Sequence, residues 1–428
     1  MAEDLRAFVE RCDRGGLVSR VAERVAPDHA VTARLEVERD RIVVFERVEG
    51  FGAPIVAGVT ASRDLLAAAL GTTRAGLLGA MARAVDSPAA CRIVRDAPFT
   101  ATAVDRPDLG AIVPLVRFYP EGARRYATGT IVLARGPAGT NASFHRMMLL
   151  DGNRLAVRVA PRHLHRILAE GAGRADVAVV CGVHPAVELA ASTSGPPDLD
   201  ELCVASALSG GDLECIDLDG LLTPAHAELV LRGRFTGELA DEGPFVDLTG
   251  TYDGVRRQPV LEIDRLYHRD GWMYRTILPG GAEHRLLMGI PQEPRILRIV
   301  SNSIPAVVAV ALSEGGCSWL HAVVAIRKTA QGDGRNAGLA ALAAHPSIKR
   351  VVVVDDDIDP ADPVQVEWAL ATRMQPDRDL FVMAGARGSS LDPSRNPADE
   401  TTAKWILDAT IPLGRPRRDF ERVGPSRA

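Results

Sequence analysis

The chain lacks several features that would assign it to common classes of protein. No stretch of about eighteen uninterrupted apolar residues occurs, which excludes an ordinary membrane-spanning helix. No CxxC pair occurs among the six cysteines, so neither a zinc ribbon nor a disulfide framework is indicated, and reduced thiols are expected. These cysteines are Cys12, Cys91, Cys181, Cys203, Cys215 and Cys317. The sequence also has neither the Walker loop nor the Rossmann fingerprint, the glycine-rich motifs that bind nucleotide phosphates.

The chain also lacks an excess of positive charge. It has 50 Lys and Arg against 55 Asp and Glu, for a formal net charge of −5. A nucleic-acid-binding protein would need a concentrated basic face, so this balance argues against such a partner. The N-terminus has no basic start followed by an apolar core, which is what a secretory signal requires. We therefore expect a cytoplasmic protein with neither a nucleic-acid nor a membrane partner.

The length and the changing patterns along the chain indicate several domains. A chain of 428 residues predicts two or three of them. The first part mixes helix and strand patterns, the middle has many short strands typical of a barrel or sandwich, and the last part alternates strand and helix. We expect a mixed α+β and α/β multidomain fold with domains at 1–104, 105–292 and 293–428.

The segment from Asn141 to Arg146 carries the first chemical signal. A side-chain amide oxygen suits magnesium, manganese or potassium, because hard cations prefer oxygen ligands. The planar fork of Arg146 pairs with a carboxylate or phosphate through two hydrogen bonds. The alternative is a turn asparagine followed by a surface arginine, since turns favour asparagine in any case.

Two further segments contain candidate metal ligands. His163 and His165 are two residues apart, so on a helix they diverge by about 200° and only one is expected to bind a metal. Glu228 lies in a strand-like run between Ala227 and Leu229. If it points inward, it needs a partner or a cation. If it faces solvent, it has no functional meaning.

Glu242 and Asp247 flank a Gly-Pro turn and lie five residues apart. Such a turn can bring both acids to one pocket, where like charges raise the pKa of at least one and prepare it as a general acid. An arginine between them would instead keep both ionised and oriented. The alternative is an acidic surface loop.

The acidic run Asp355–Asp359 follows the apolar segment Val351–Val354. The carboxyl end of a parallel strand is where α/β sheets usually bind ligands, so these acids could hold magnesium. They could equally cap the next helix and bind neighbouring arginines. We favour the structural role.

Five segments together resemble the UbiD-like family of (de)carboxylases, which use prenylated FMN, and the resemblance covers nearly the whole chain. Asn141–Arg146 has the family's Asn-to-Arg spacing. Pro224–Val230 resembles Pro-x-His-Ala-Glu-x-Val, and Glu242–Asp247 resembles Glu-x-Pro-Phe-Gly-Glu. Val354–Asp359 and Lys404–Thr410 are similar to the family's Val-Asp-Asp-Asp-Ile-Asp and Lys-x-x-x-Asp-Ala-Thr segments.

This resemblance implies an N-terminal α/β domain, a central FMN-binding split β-barrel and a C-terminal α/β domain with a role in oligomerisation. It implies prenylated FMN, a Mn²⁺ (or Mg²⁺) ion that bridges the flavin phosphate through Asn141, His163 and Glu228, and a K⁺ ion nearby. His163 is preferred to His165 because its neighbours, Arg162 and Leu164, match the family context. The cofactor-binding residues that the resemblance implies are Asn141, Ser143, Phe144, Arg146, Arg162, His163, Thr223, Pro224 and Lys404.

The resemblance also implies that Arg146, Glu242 and Asp247 form the catalytic network. Decarboxylation leaves a carbanion on an sp² carbon, and no side chain supplies the electron sink that it needs, so a cofactor must. Arg146 is expected to orient the acids and the substrate carboxylate, Asp247 to donate the proton and Glu242 to tune the network. The expected activity is reversible, non-oxidative decarboxylation of an aromatic, heteroaromatic or α,β-unsaturated carboxylic acid.

Three positions depart from the family pattern. Asp247 replaces a glutamate, Val246 replaces a glycine, and His145 replaces an apolar residue or tyrosine. These changes favour an aromatic or heteroaromatic acid.

Two alternatives stay open, an NAD(P)H-dependent FMN oxidoreductase and a non-catalytic flavin-binding partner subunit. The expected partners are the small acid and carbon dioxide, a flavin prenyltransferase that supplies the cofactor, and further copies of the chain in a homodimer or homohexamer.

Overall fold

The computed structural model describes residues 3–121, 124–136, 139–193, 195–196, 198–420 and 422. The chain divides into two compact units, Met1–Leu287 and Met288–Ala428, each with its own buried apolar clusters. The mixed α/β multidomain architecture expected from the sequence is confirmed. A division of the first unit near residue 104 stays a prediction. In the part of the chain described, no helix has both the length and the apolar surface that crossing a membrane requires.

Helices lie in both units of the described residues. The helices are α1 (Leu5–Arg14), α2 (Ala30–Val37), α3 (Arg63–Ala69), α4 (Leu77–Asp86), α5 (Leu109–Ile112), α6 (His163–Glu170), α7 (Pro185–Ala191), α8 (Glu201–Leu208), α9 (Ala282–Gly289), α10 (Glu293–Ser301), α11 (Asp333–Ala344), α12 (Pro363–Arg373) and α13 (Pro376–Asp379). Short 3-10 turns lie at Pro98–Ala101, Ile290–Gln292, Glu314–Gly316 and Arg417–Phe420.

The strands differ in length from two residues to fourteen. They are β1 (Val18–Val25), β2 (Ile42–Val48), β3 (Ile55–Ala57), β4 (Arg92–Ile93), β5 (Thr102–Asp105), β6 (Tyr126–Ala127), β7 (Thr130–Gly136), β8 (Gly139–Phe144), β9 (Met147–Asp151), β10 (Arg154–Val157), β11 (Arg174–Cys181), β12 (Glu214–Leu218), β13 (Leu221–Pro224), β14 (Leu229–Glu242), β15 (Phe245–Val246), β16 (Tyr252–Asp253), β17 (Arg256–His268), β18 (Tyr274–Arg275), β19 (Val307–Leu312), β20 (His321–Ile326), β21 (Arg350–Asp355), β22 (Leu380–Arg387) and β23 (Thr401–Ala409).

The first unit begins with helix α1, whose buried residues Leu5, Phe8, Val9 and Cys12 recur at the spacing of one helical face. Asp4 caps this helix, because its side chain accepts a hydrogen bond from the Ala7 amide at 2.9 Å. Helix α1 packs with a four-stranded sheet of order β1-β2-β3-β18. The last strand of that sheet comes from more than two hundred residues further along the chain. The N-terminal segment is therefore joined to the middle of the chain by strand pairing.

A nine-stranded sheet forms the centre of the first unit. Its strand order is β6-β9-β10-β17-β14-β11-β7-β8, and β5 also pairs with β17. Strand β11 lies inside the sheet between β14 and β7, and Val177–Cys181 is buried. The described pairings leave the sheet open between β6 and β8. Three of the residues predicted for the site belong to this sheet or its connections: Asn141 in β8, Arg146 between β8 and β9, and Glu242 at the end of β14.

The second unit contains a five-stranded sheet of order β19-β20-β21-β23-β22. Strands β20, β21 and β23 are parallel, and the two edge strands are antiparallel to their neighbours. The four valines predicted as a buried strand, Val351–Val354, lie in the middle of it and are buried. The strand–helix alternation predicted after residue 295 matches this arrangement.

The acidic run after β21 has the structural role that we favoured. Arg373, whose side chain is fully buried, donates to Asp355 at 2.8 Å and to both oxygens of Asp357 at 2.9 and 2.7 Å. Arg327 donates to Asp356 at 3.1 Å. Since arginines compensate these charges, the run stabilises the end of the sheet.

A buried ion cluster around Arg275 holds the start of helix α9 within the first unit. Arg275 is fully buried and donates to both oxygens of Glu188 at 2.9 and 3.0 Å. It also donates to Glu283, at 2.6 and 3.1 Å. Glu283 accepts from the amides of Gly58 and Thr60 as well, at 2.7 and 2.9 Å. Arg275 is thus the counter-ion of two acids that have almost no access to water.

We expect Arg275→Met to destabilise the first unit by about 3–5 kcal/mol, because it leaves two buried carboxylates without their cation. Urea or thermal unfolding followed by circular dichroism measures this change. Arg265→Met is the matched control, since Arg265 pairs with Asp105 at an exposed site, where solvent screens the ion pair and its loss should have little effect on stability. Equal losses in the two variants would contradict the prediction.

Candidate active site

Arg146 is the centre of the first cluster of site residues. It lies between β8 and β9, and only 10% of its side chain is exposed. Its Nε and Nη2 donate to the two oxygens of Glu242, both at 3.0 Å. Its Nη1 donates to Oδ2 of Asp247 at 3.0 Å. The structure therefore brings together the three residues that the sequence predicts as a network, and Arg146 is not a surface arginine.

A third acid, Asp253, completes this cluster. Its Oδ2 accepts from Arg146 Nη2 at 2.9 Å, and its Oδ1 accepts from Arg256 at 2.5 Å. Strand β16 places it there by pairing with β15, in which Phe245 lies opposite Asp253. Sequence reasoning missed Asp253, because an Asp followed by Gly254 is a common surface turn.

Glu242 is the innermost of the three acids and is fully buried. Besides Arg146, the hydroxyl of Tyr126 donates to its Oε1 at 3.2 Å, and burial raises the pKa of that tyrosine. The ring of Phe245 lies under the Arg146 guanidinium, with 4.4 Å between Cζ and the ring centroid. Glu242 is therefore closed off from solvent and fixes the position of the Arg146 guanidinium.

Asp247 is the most accessible of the three acids, with 16% of its side chain exposed. Its Oδ1 accepts from the Leu248 amide at 2.7 Å and lies 4.0 Å from Nε2 of His284. His284 accepts from the Gly280 amide through Nδ1 at 3.1 Å, so the neutral ring carries its proton on Nε2, towards Asp247. Burial lowers the pKa of His284 and favours that neutral ring. Sequence reasoning missed His284, which lies 37 residues beyond Asp247.

A second cluster joins Asn141, His163 and Glu201. Asn141 is buried in β8, and its Nδ2 lies 3.2 and 3.3 Å from the two oxygens of Glu201. The Ala142 amide donates to Glu201 at 3.0 Å, and His163 Nδ1 lies 3.6 Å from the same carboxylate. Burial raises the pKa of Glu201 to about 7. An amide, an imidazole and a buried carboxylate form a donor set that fits a divalent cation.

The structure does not bring Glu228 to Asn141 and His163. Glu228 is fully buried, and both of its oxygens accept hydrogen bonds from Arg6, each at 2.7 Å. Arg269 at 3.1 Å and the Met273 amide at 3.0 Å donate to it as well. These cations compensate its charge, so Glu228 fastens helix α1 to the central sheet. In this structure Glu201, not Glu228, is the carboxylate beside Asn141 and His163, and a metal-binding role for either acid stays a prediction.

Glu201 was missed because its local sequence is typical of a helix start. Asp200 caps α8 by accepting from the amides of Leu202 and Cys203, at 2.9 and 3.2 Å. An acid in the first turn then needs no further explanation, since it complements the helix dipole. Its proximity to Asn141, 60 residues earlier, follows from the packing of α8 against β8.

The other predicted cofactor residues lie in different surroundings. Ser143 donates to Asn141 Oδ1 at 3.1 Å and contacts His145 Nε2 at 3.0 Å, so it belongs to the second cluster. Phe144 ends β8, and Arg162 is the N-cap residue of α6. Thr223 and Pro224 lie in β13, opposite β12. Lys404 is in the second unit, where it is largely buried and donates to the Pro346 carbonyl at 2.5 Å.

Comparison with known families accounts for nearly the whole chain. The models of the N-terminal, Rift-related and C-terminal domains of 3-octaprenyl-4-hydroxybenzoate carboxy-lyase, or UbiD, match residues 9–85, 92–282 and 285–409. The chain belongs to the UbiD family. This UbiD-family protein is therefore a carboxy-lyase, and the expected enzyme class is confirmed.

Individual relatives extend this result. The UbiD-family chain is 41% identical over 429 residues to anhydromevalonate phosphate decarboxylase of Methanothermobacter thermautotrophicus, covering 99% of this chain and 100% of the relative. Among solved structures it is similar to the UbiD-class enzyme HmfF from Pelotomaculum thermopropionicum in complex with FMN, at 36% identity and a TM-score of 0.95, covering 99% and 98% of the two chains. An evolved dimeric form of HmfF in complex with prFMN has 34% identity and a TM-score of 0.90, covering 99% and 97%.

Proposed function

We propose that this protein removes carbon dioxide from an unsaturated carboxylic acid that also carries a phosphate group, with prenylated FMN as its cofactor. The observation that supports this proposal most strongly is that Arg146 forms ion pairs with both Glu242 and Asp247 in one largely buried cluster. The relative from Methanothermobacter thermautotrophicus supports this choice of substrate, because its name describes a decarboxylase of a phosphorylated acid. This choice lies within the α,β-unsaturated acids expected from the sequence and differs from the aromatic acids that we favoured there.

Asn141, His163 and Glu201 are the residues that would hold the divalent ion, Mn²⁺ or Mg²⁺, at the flavin phosphate. A cation there would relieve the cost of burying the Glu201 carboxylate, which is visible in its raised pKa of about 7. Prenylated FMN, when bound, supplies the electron sink that decarboxylation at an unsaturated carbon requires. A K⁺ ion beside this site, a role of Lys404 at the flavin phosphate, and assembly into a homodimer or homohexamer stay predictions.

Arg146 is arranged to bind the substrate carboxylate while it holds the acids. A guanidinium has five N–H groups. Four of them are directed at Glu242, Asp247 and Asp253 in the described part of the chain. The remaining N–H, on Nη1, is next to the bond to Asp247. A carboxylate bound there lies beside the most accessible acid of the cluster.

Asp247 is the proposed proton donor. It is the most exposed of the three acids, and in the described part of the chain it pairs with one arginine, whereas Asp253 pairs with two. It can therefore take up a proton and give it away, because Arg146 keeps the charges of Glu242 and Asp253 beside it throughout. Glu242 and Asp253 keep Arg146 in place on either side. The proton takes the place of carbon dioxide on the same carbon. If Asp247 removes that proton again, carbon dioxide can be added back, so the reaction can run in both directions.

The test is to incubate the flavin-loaded protein with anhydromevalonate phosphate, with the same acid lacking its phosphate, and with an aromatic acid. We expect release of carbon dioxide with the phosphorylated acid, and deuterium at the former carboxyl carbon when the reaction is run in D₂O. The aromatic acid should release at most a trace. Turnover of the aromatic acid alone would overturn the proposed substrate, and oxidation of NAD(P)H without carbon dioxide release would overturn the proposed reaction.

A further inference from the structure

A second arginine lies beside Arg146 on the same face of the central sheet. Val157 of β10 lies opposite Met147 of β9. The residues that follow and precede them, Arg158 and Arg146, also face each other, because the Arg158 amide donates to the Arg146 carbonyl at 3.1 Å. Residues directly opposite each other on antiparallel strands have their side chains on one face, with Cβ atoms about 5 Å apart. Arg158 and Arg146 are therefore side-by-side neighbours.

Arg158 differs from the other arginines of this cluster in its partners. Arg146 contacts three carboxylates, and Arg256 contacts Asp253. The guanidinium of Arg158 donates to the Val159 carbonyl at 3.3 Å, and no carboxylate pairs with it in the described part of the chain. Burial, and then repulsion by Arg146 and Arg256, lowers the pKa of Arg158. A half-buried arginine among other cations is in a position where an anion stabilises it.

We propose that Arg158 binds the phosphate group of the substrate and so selects phosphorylated acids over unphosphorylated ones. This inference rests on the proposed function. A short acid with a carboxylate at one end and a phosphate at the other can contact Arg146 with the first group and Arg158 with the second. The planar guanidinium matches the phosphate oxygens through two parallel hydrogen bonds. The three carboxylates around Arg146 leave no comparable place for a second anion on that residue.

The test is the variant Arg158→Gln, assayed with the phosphorylated acid and with the same acid lacking its phosphate. We expect the ratio of the two kcat/KM values to fall by about tenfold to a hundredfold, which is what the loss of a charged hydrogen bond produces. The loss should lie in KM for the phosphorylated acid, since Arg158 does not contact Asp247. Arg158→Lys should keep part of the ratio, because a lysine still presents a cation.

Arg257→Gln is the matched control. Arg257 lies next to Arg256 in β17, so its side chain is on the opposite face of the sheet, and it is 62% exposed. Its variant should leave the ratio unchanged. Calorimetric binding of a saturated, unreactive phosphorylated acid gives a second readout, in which Arg158→Gln should bind about tenfold to a hundredfold more weakly than the wild type.

Three results would overturn the proposal. An unchanged ratio in flavin-loaded Arg158→Gln removes Arg158 from substrate selection. Loss of flavin from the variant with the ratio intact assigns Arg158 to the phosphate of the cofactor instead. A wild-type protein that shows no preference for the phosphorylated acid overturns the proposed function itself, and this result requires no variant.

Discussion

Asp247→Asn is expected to lower kcat by at least about a thousandfold, within the range that a lost general acid produces. Asparagine has nearly the shape of aspartate but cannot donate a carboxylic acid proton to carbon. It can still accept one of the two hydrogen bonds that Asp247 accepts now, from Arg146 or from the Leu248 amide. The variant should therefore fold and keep its flavin, while both carbon dioxide release and deuterium exchange at the product carbon disappear.

Two comparisons make this prediction specific. Asp241→Asn is the control, because Asp241 is 70% exposed, precedes Glu242 and pairs only weakly with Arg257 at 3.5 Å. It should leave kcat unchanged. Asp247→Glu lengthens the side chain by one methylene and keeps the acid, so it should retain part of the activity that Asp247→Asn loses. Turnover of Asp247→Asn above a tenth of the wild-type rate would remove Asp247 as the proton donor.

Glu201→Gln is expected to weaken divalent-cation binding by at least about a hundredfold, because even a residue that only supports a metal ligand contributes tenfold to a hundredfold. A neutral amide is a poor ligand for a hard cation, and the variant also removes the buried charge that attracts one. Flavin should be lost with the cation when the protein is desalted. Metal analysis and the flavin absorbance of the desalted protein measure both effects.

Glu228→Gln is the matched variant, since it makes the same change in the other buried acid. It should keep the cation and the flavin but destabilise the protein by about 2 kcal/mol, as Arg6 and Arg269 lose their anion. This value is below that for a fully enclosed pair, because 28% of the Arg6 side chain is exposed. The opposite pattern, with cation loss in Glu228→Gln and retention in Glu201→Gln, would restore the assignment made from the sequence.

The contrast between Glu201 and Glu228 shows what a local sequence pattern leaves open in this protein. Glu228 stood out because an acid inside an apolar strand-like run needs a partner, and that argument was correct. The partner is a pair of arginines, Arg6 and Arg269, of which the first lies 222 residues away. Glu201 did not stand out, because acids are ordinary at the start of a helix. Local pattern shows that a charge must be compensated, but it does not show by what.

The sequence by itself determined the family, the mixed α/β architecture and the segments that carry Arg146, Glu242 and Asp247, because these depend on residue types at short spacings along the chain. Only the tertiary structure decided which acid meets Asn141 and His163, and that Asp253, His284 and Arg158 lie beside the network. Those neighbours come from strands and helices distant in sequence. Since side chains alternate between the two faces of a strand, the pairing register alone selects which of them share a face.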